Sequence, residues 1–202
     1  MGPIVYFVPV ALLYRAAALL QPPERLYFVT GFKLFAGRVI VLTQLVEVEN
    51  VASRCHVTPN PASVLRAHRE LLAMEMDIEA QFHSHPGAAQ NATLPSPIDI
   101  NTARRWETGA PFIGAVFSEG GKYVRFFNYR QNSEVIIYGK HIQTNEPNCF
   151  EISPIGCDSL PAEASEPGRL VVDRPPREDS LVEPKANSGR KSVADWLRRL
   201  RQ

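Results

Sequence analysis

Two histidines one residue apart, in His83-Ser84-His85-Pro86, are followed after ten residues by Ser96-Pro97-Ile98-Asp99, a spacing written H-x-H-x(10)-S-x-x-D. Side chains alternate along a β-strand, so Ala80 and Phe82 would face one side while His83 and His85 both face the other. Two imidazoles on neighbouring same-face positions can reach a single metal ion. Pro86 removes a backbone donor and ends such a strand just past the second ring. Pro97 suits the first position of a helix, which puts Ser96 at its cap and Asp99 in its first turn, carboxylate turned back toward the helix start. Two neutral imidazoles and one carboxylate, with a position left for water, form the donor set of a catalytic zinc site. Zinc in that setting lowers the pKa of a water toward ~7 and polarises a carbonyl. Each part also has a plain reading of its own. An HxH pair falls on strands by accident, and Ser96 with Asp99 is a helix cap with its reciprocal acid. The conjunction is what points to a metal.

The surrounding elements would position this set. Residues 4–8 read as a strand, Pro9 opens a helix to about Leu20, and Pro22-Pro23 close it. From 25 to 48 the residues are mostly β-branched, aromatic or Leu around one turn-like pair, Ala36-Gly37, which predicts a hairpin. A polar loop over 49–61 precedes a helix over 62–76, with Val64, Leu65, His68, Leu71, Leu72 and Met76 on one face. IEAQFHSH is the next strand, followed by a loop over 86–95 and a short helix from near Pro97. PFIGAVFS, KYVRFFNY and EVIIYGK then read as a three-strand meander. This order fits an α+β or three-layer domain with a mixed central sheet flanked by helices.

Composition narrows the class further. The 202 residues carry 22 Lys+Arg against 21 Asp+Glu, a net charge of +1, which suits one ordinary domain with an appendage. A protein that clamps nucleic acid by phosphate neutralisation needs a basic excess, so no nucleic-acid partner is expected. Cys55, Cys149 and Cys157 form no CxxC pair and are odd in number, which argues against a disulfide framework and for a reducing compartment. The apolar run from Pro3 to Tyr14 is too short to span a bilayer, and Arg15 interrupts the stretch. No basic residue precedes it as in a secretory signal, and Tyr6 stands where myristoylation wants Ser or Thr. A cytoplasmic protein with no membrane partner is expected. The domain is drawn over 1–145, with 146–190 a Pro- and charge-rich linker or partner-binding segment. Residues 191–202, KSVADWLRRLRQ, regain helical character: Ser192 can cap, Val193, Trp196, Leu197 and Leu200 form an apolar stripe, and four basic residues against one acid give a local charge of +3. That short basic amphipathic helix would dock back on the domain or bind a separate partner.

The histidine–serine–aspartate pattern resembles the JAMM signature of the JAB1/MPN/Mov34 (MPN+) zinc metalloproteases, a distant Glu plus H-[ST]-H-P-x-S-x-x-D with a loop before the serine. The resemblance spans roughly residues 1–140, in element order as well as motif. It implies a further acid on the strand after the first helix, written E-x-x-G-x-x-x-G. Glu24 and Gly31 occupy the outer positions of that pattern, and Tyr27 stands where the family has its inner glycine. Glu47, Glu49, Glu70, Glu75 and Glu79 sit in the wrong elements for that role. By this resemblance His83, His85 and Asp99 are zinc ligands, Glu24 is the general base, and Ser96 stabilises the oxyanion. The implied fold is the three-layer α-β-α, cytidine-deaminase-like MPN/JAB fold. The implied activity is hydrolysis of the amide bond after the C-terminal Gly-Gly of a ubiquitin or ubiquitin-like protein or its conjugate, as in bacterial and archaeal JAB-type deubiquitinase-like peptidases. Two other readings stay open: an MPN-fold interaction module with an unused zinc site, and a zinc hydrolase of small amides. A homodimer is also left open. No His or Asn/Asp arrangement surrounds Cys55 or Cys149 as a thiol nucleophile would need, and His56, His68 and His141 read as surface or packing residues.

Overall fold

A continuous run of apolar residues forms β1 (Ile4–Pro9), which buries Tyr6 and Val8, and Pro9 caps α1 (Val10–Leu19), whose Leu12, Leu13 and Ala16 face inward. The computed structural model describes residues 2–20, 24–52, 57–130, 132–140 and 142–153. β2 (Leu26–Leu34) and β3 (Val39–Glu47) form the expected hairpin. Its turn takes in one residue more than the Ala36-Gly37 pair, because Phe35, Ala36 and Gly37 all have positive φ, at 51°, 56° and 82°. Within the hairpin the register steps past Thr43, since Thr30 pairs with Gln44 and Gly31 with Leu42. A Cβ on Gly31 would lie 2.3 Å from the Val41 carbonyl oxygen, so the close approach of β3 requires glycine there.

The 49–61 stretch, expected as loop, contains two short strands, β4 (Asn50–Ala52) and β5 (Val57–Pro59), paired as a separate small sheet. α2 (Pro61–Ala73) begins where the Asn60 side chain accepts the Ala62 N–H at 2.9 Å. It ends earlier than the expected 76 because Glu75 takes a left-handed conformation, φ 58°. Its inner face is Ser63, Val64, Ala67, His68 and Leu71, and Leu72 is exposed. β6 (Asp77–Ser84) follows, then α3 (Pro97–Trp106), β7 (Ile113–Ser118), β8 (Tyr123–Phe127), β9 (Ser133–Tyr138), β10 (Ile142–Glu146) and β11 (Cys149–Ile152).

Nine strands form one sheet in the order β10-β11-β8-β7-β6-β2-β3-β1-β9. It is mixed: β1 runs parallel to β3 and β9, and β6 parallel to β7, while the other pairs are antiparallel. Neighbours on β2 separate its two faces. Tyr27 and Val29 join the core under α1, whereas Leu26 and Phe28 join a second core with Val64 and Leu71 of α2 and with Trp106 of α3. A mixed sheet with helices on both faces is the expected α+β architecture.

Two expectations need correction. β7 and β8 form a hairpin, but β9 does not continue a meander; it crosses to the far edge and pairs parallel with β1, from Ile4↔Ser133 to Pro9↔Tyr138. The Glu107 carboxylate accepts the backbone N–H groups of Tyr129 and Arg130 and turns the chain away, and β11 takes the edge of β8. The sheet also continues through β10 and β11 to Ile152, past the boundary drawn at 145. IQTNE reads as polar tail because β10 is an exposed edge, whereas Cys149, Phe150 and Ile152 become buried once β11 pairs with β8. The linker beyond 153, the helix over 191–202, Cys55, Cys157, His56 and His141 lie outside the described residues. Among those described, no helix is long and apolar enough to cross a membrane.

Candidate metal centre

β6 sits mid-sheet, with His83 opposite Leu26 of β2 and Val116 of β7. The His85 N–H donates to the Phe117 carbonyl at 2.9 Å, which carries the extended backbone past the end of the strand. Alternation therefore holds through both histidines, and their rings come out on one face. Ser96 caps α3 and completes a capping box: Asp99 N–H donates to Ser96 Oγ at 3.3 Å, and Ser96 N–H donates to Asp99 Oδ2 at 2.7 Å. That cap turns the Asp99 carboxylate toward the histidines.

The three side chains converge. His83 Nε2 lies 3.2 Å from His85 Nε2 and 3.1 Å from Asp99 Oδ1, and His85 Nε2 lies 3.3 Å from Asp99 Oδ2. Around a zinc ion with bonds of ~2.0–2.1 Å, tetrahedral ligand atoms lie about 3.3 Å apart. The observed separations match one triangular face of such a tetrahedron. The His85 Nδ1–H donates to the Ala92 carbonyl at 3.1 Å, which leaves the Nε2 lone pair aimed at the cluster. His83 Nδ1 is buried and has no hydrogen-bond partner among the described residues. Two imidazole nitrogens this close to each other and to a carboxylate need a proton or a cation between them. The donor set fits a divalent metal, and zinc foremost.

Electrostatics agree with the geometry. Contact with Asp99 raises the His85 pKa above its ordinary 6.5 against the pull of burial, and the charges of Asp99 and Glu24 with the Ala92 hydrogen bond add to the rise. For Asp99, burial works to raise the pKa, but hydrogen bonds from His83, His85 and Ser96 outweigh it and hold the carboxyl far below the usual carboxylate range.

Glu24 lies two residues before β2 and lines the same groove as His83, His85, Ser96 and Asp99, a cavity of about 830 Å³. None of Glu47, Glu49, Glu70, Glu75 or Glu79 lines it. The Ser96 hydroxyl oxygen serves the helix cap as acceptor, which leaves its proton available to donate. Leu26, Phe28, Val64, Ile98 and Trp106 make the groove's walls apolar, and Trp106 is held by stacking on Phe112 at 5.0 Å and by an edge contact with Phe28 at 5.4 Å. Thr102 and Arg105 of α3 and Val57 to Pro59 of β5 complete it. Sequence reasoning missed these wall residues and the Ala92 carbonyl. The apolar wall had a signal in the spacing of Leu26 and Phe28, but a backbone carbonyl has none, since any residue supplies one. His68 packs in the buried face of α2, and Cys149 is a buried free thiol with Thr93 Oγ1 3.9 Å from its sulfur.

No protein-family model matches the chain, and no curated protein does. Among solved structures it is similar to a JAB1/MPN domain protein from Archaeoglobus fulgidus, with a TM-score of 0.38 and 17% identity over 64% of this chain and 97% of that one. It is also similar to a protein from Desulfitobacterium hafniense determined in solution, with a TM-score of 0.48 and 16% identity over 67% of this chain and 94% of that one. The solved structures that this chain resembles thus include a JAB1/MPN domain protein.

Proposed function

We propose that the chain is a zinc-dependent isopeptidase or peptidase that hydrolyses the amide bond after the C-terminal Gly-Gly of a ubiquitin-like protein. The observation that carries this reading is the triangle of His83, His85 and Asp99 donor atoms, 3.1–3.3 Å apart, opening on a groove that Glu24 and Ser96 also line. His83, His85 and Asp99 would hold the zinc, which when bound lowers the pKa of a water toward ~7 and polarises the scissile carbonyl. The chain's own groups do the rest. Ala92 holds the His85 ring by its Nδ1–H, and the capping box holds the Asp99 carboxylate. Glu24 takes a proton from the attacking water and returns it to the leaving amine. The Ser96 hydroxyl donates to the oxygen on which negative charge develops. An extended substrate tail would lie along the groove, bound mainly through its backbone, with glycines passing where side chains would not.

The test is metal analysis of the purified chain, then release of a reporter amine from Gly-Gly-terminated ubiquitin-like proteins. One zinc per chain, chelator-sensitive turnover restored by zinc, and turnover lowered by about 10²–10⁴-fold in Glu24→Ala are the expected results. A zinc-loaded chain that releases amine from no Gly-Gly-terminated modifier overturns the proposal and leaves the interaction module with an unused zinc site.

A further inference from the structure

Part of the sheet, over β2, β3, β1 and β9, carries an apolar face that no described element covers. The registers align Phe32 of β2, Val41 of β3, Phe7 of β1 and Ile136 of β9 in one cross-strand row, and Leu34, Val39, Val5 and Glu134 in the next. Directly paired residues share a face. The opposite face of these strands is packed under α1, with Tyr6, Val8, Ile40, Leu42 and Val135 in that core. α2 and α3 cover only the other half of β2, at Leu26 and Phe28. Phe32, Leu34 and Ile136 consequently remain 54%, 46% and 36% exposed, and Phe35 at the adjoining turn 77%. A contiguous apolar patch of this kind on a sheet marks a surface that something else covers.

We propose that residues 191–202 of the same chain pack across this face as a basic amphipathic helix. This inference stands apart from the proposed activity. Val193, Trp196, Leu197 and Leu200 follow the i, i+3, i+4, i+7 spacing of one helical stripe. A helix of twelve residues is marginal alone in water and needs an apolar surface to form against. Twelve residues make about 18 Å of helix, and four strands are about 14 Å wide between their outer axes, so one helix laid across the strands matches both rows. The chain leaves β11 on the α1 side, where Tyr14 OH donates to the Ser153 carbonyl at 2.9 Å. The target face lies around the sheet, with β3 five strand spacings from β11, about 24 Å. Residues 154–190 number 37 and reach at most roughly 120 Å when extended, so they span that path with slack. Glu134 at the end of the second row gives the +3 segment an opposite charge.

The chain has two tryptophans, so Trp106→Phe leaves Trp196 as the sole reporter in the otherwise unchanged 202-residue chain. In this background Trp196 emission should be blue-shifted, shielded from acrylamide, and independent of protein concentration while the chain sediments as a monomer. Phe32→Asp, at a position 54% exposed, should return Trp196 to the emission of a solvated indole. Leu197→Asp, which cannot disturb the sheet, should do the same, with circular dichroism confirming that both variants fold. A solvated Trp196 in the parent, or shielding unaffected by Phe32→Asp, overturns the proposal. Shielding that grows with concentration alongside a dimeric mass also overturns it and assigns the face to a second copy.

Discussion

Asp99 shares one carboxylate between a helix cap and the cluster, its Oδ2 accepting the Ser96 N–H at 2.7 Å while lying 3.3 Å from His85 Nε2. Asp99→Asn keeps an acceptor for the cap and removes the negative charge, so zinc affinity should fall by at least the ~10–100-fold that losing a ligand's outer partner costs, with little change in stability; competition against a chelating dye reads this directly. Glu24→Ala should leave zinc content unchanged and lower turnover by about 10²–10⁴-fold, the usual contribution of a general base. The pH dependence has a definite sign. His85 has a raised pKa, so protons compete for its Nε2 up to above pH 6.5, and zinc affinity should climb as pH rises through that raised value and then level off. Zinc titrations across a pH series would show it. The residue-level reading was open in the sequence where geometry is local: alternation aligned His83 with His85, and cap chemistry aimed Asp99. Glu24 was reached only through the family resemblance, because nothing in the 58 positions between it and His83 says that they meet.

At the scale of the element, the strands beside the cluster carry two irregularities. β6 pairs Ala80 with Val29 but Ile78 with Thr30, which leaves Glu79 as the extra residue of a bulge, 1% exposed and with Lys33 Nζ 2.9 Å from one of its oxygens. Its other oxygen has no hydrogen-bond partner among the described residues. Burial pushes the Glu79 carboxyl from 4.5 up to about 7, against the opposing pull of Lys33. A raised carboxyl pKa means that between pH 4.5 and 7 the folded chain keeps a proton the unfolded chain has lost, so this group's contribution to stability declines as pH rises through that window. Glu79→Gln stays neutral, and its urea midpoint relative to the parent should therefore improve from pH 4.5 to 7 and hold constant above. Gly31→Ala should cost about 1–3 kcal/mol or more, since its methyl group would press on the Val41 carbonyl; thermal unfolding measures this. Elements were legible where periodicity was strong, as in β1, α1, the β2–β3 hairpin and β6. They were missed where pairing alone creates them: β4, β5 and β10 are short or polar, and β11 becomes apolar core only against β8. The meander failed for a different reason. A side chain from the end of α3, Glu107, binds the backbone at Tyr129 and Arg130, and adjacency in sequence cannot foresee that.

Over the whole molecule, the sheet is closed by its latest strands rather than its earliest. β9 and β11 supply the outer neighbours of β1 and β8, so a chain cut after residue 130 would leave both edges bare beside apolar faces. Such a truncation should be recovered as aggregate, while a chain ending after Ser153 keeps both outer neighbours and should still fold, as circular dichroism would show. The pairing of Pro9 with Tyr138 joins residues 129 positions apart, and contacts this distant in sequence slow folding relative to local ones. During synthesis at about 5–20 residues per second, β1 waits roughly 6–26 s for its second neighbour to be made. For that interval one edge of β1 stays unpaired beside apolar faces, and a holding chaperone would find it there before the domain can close.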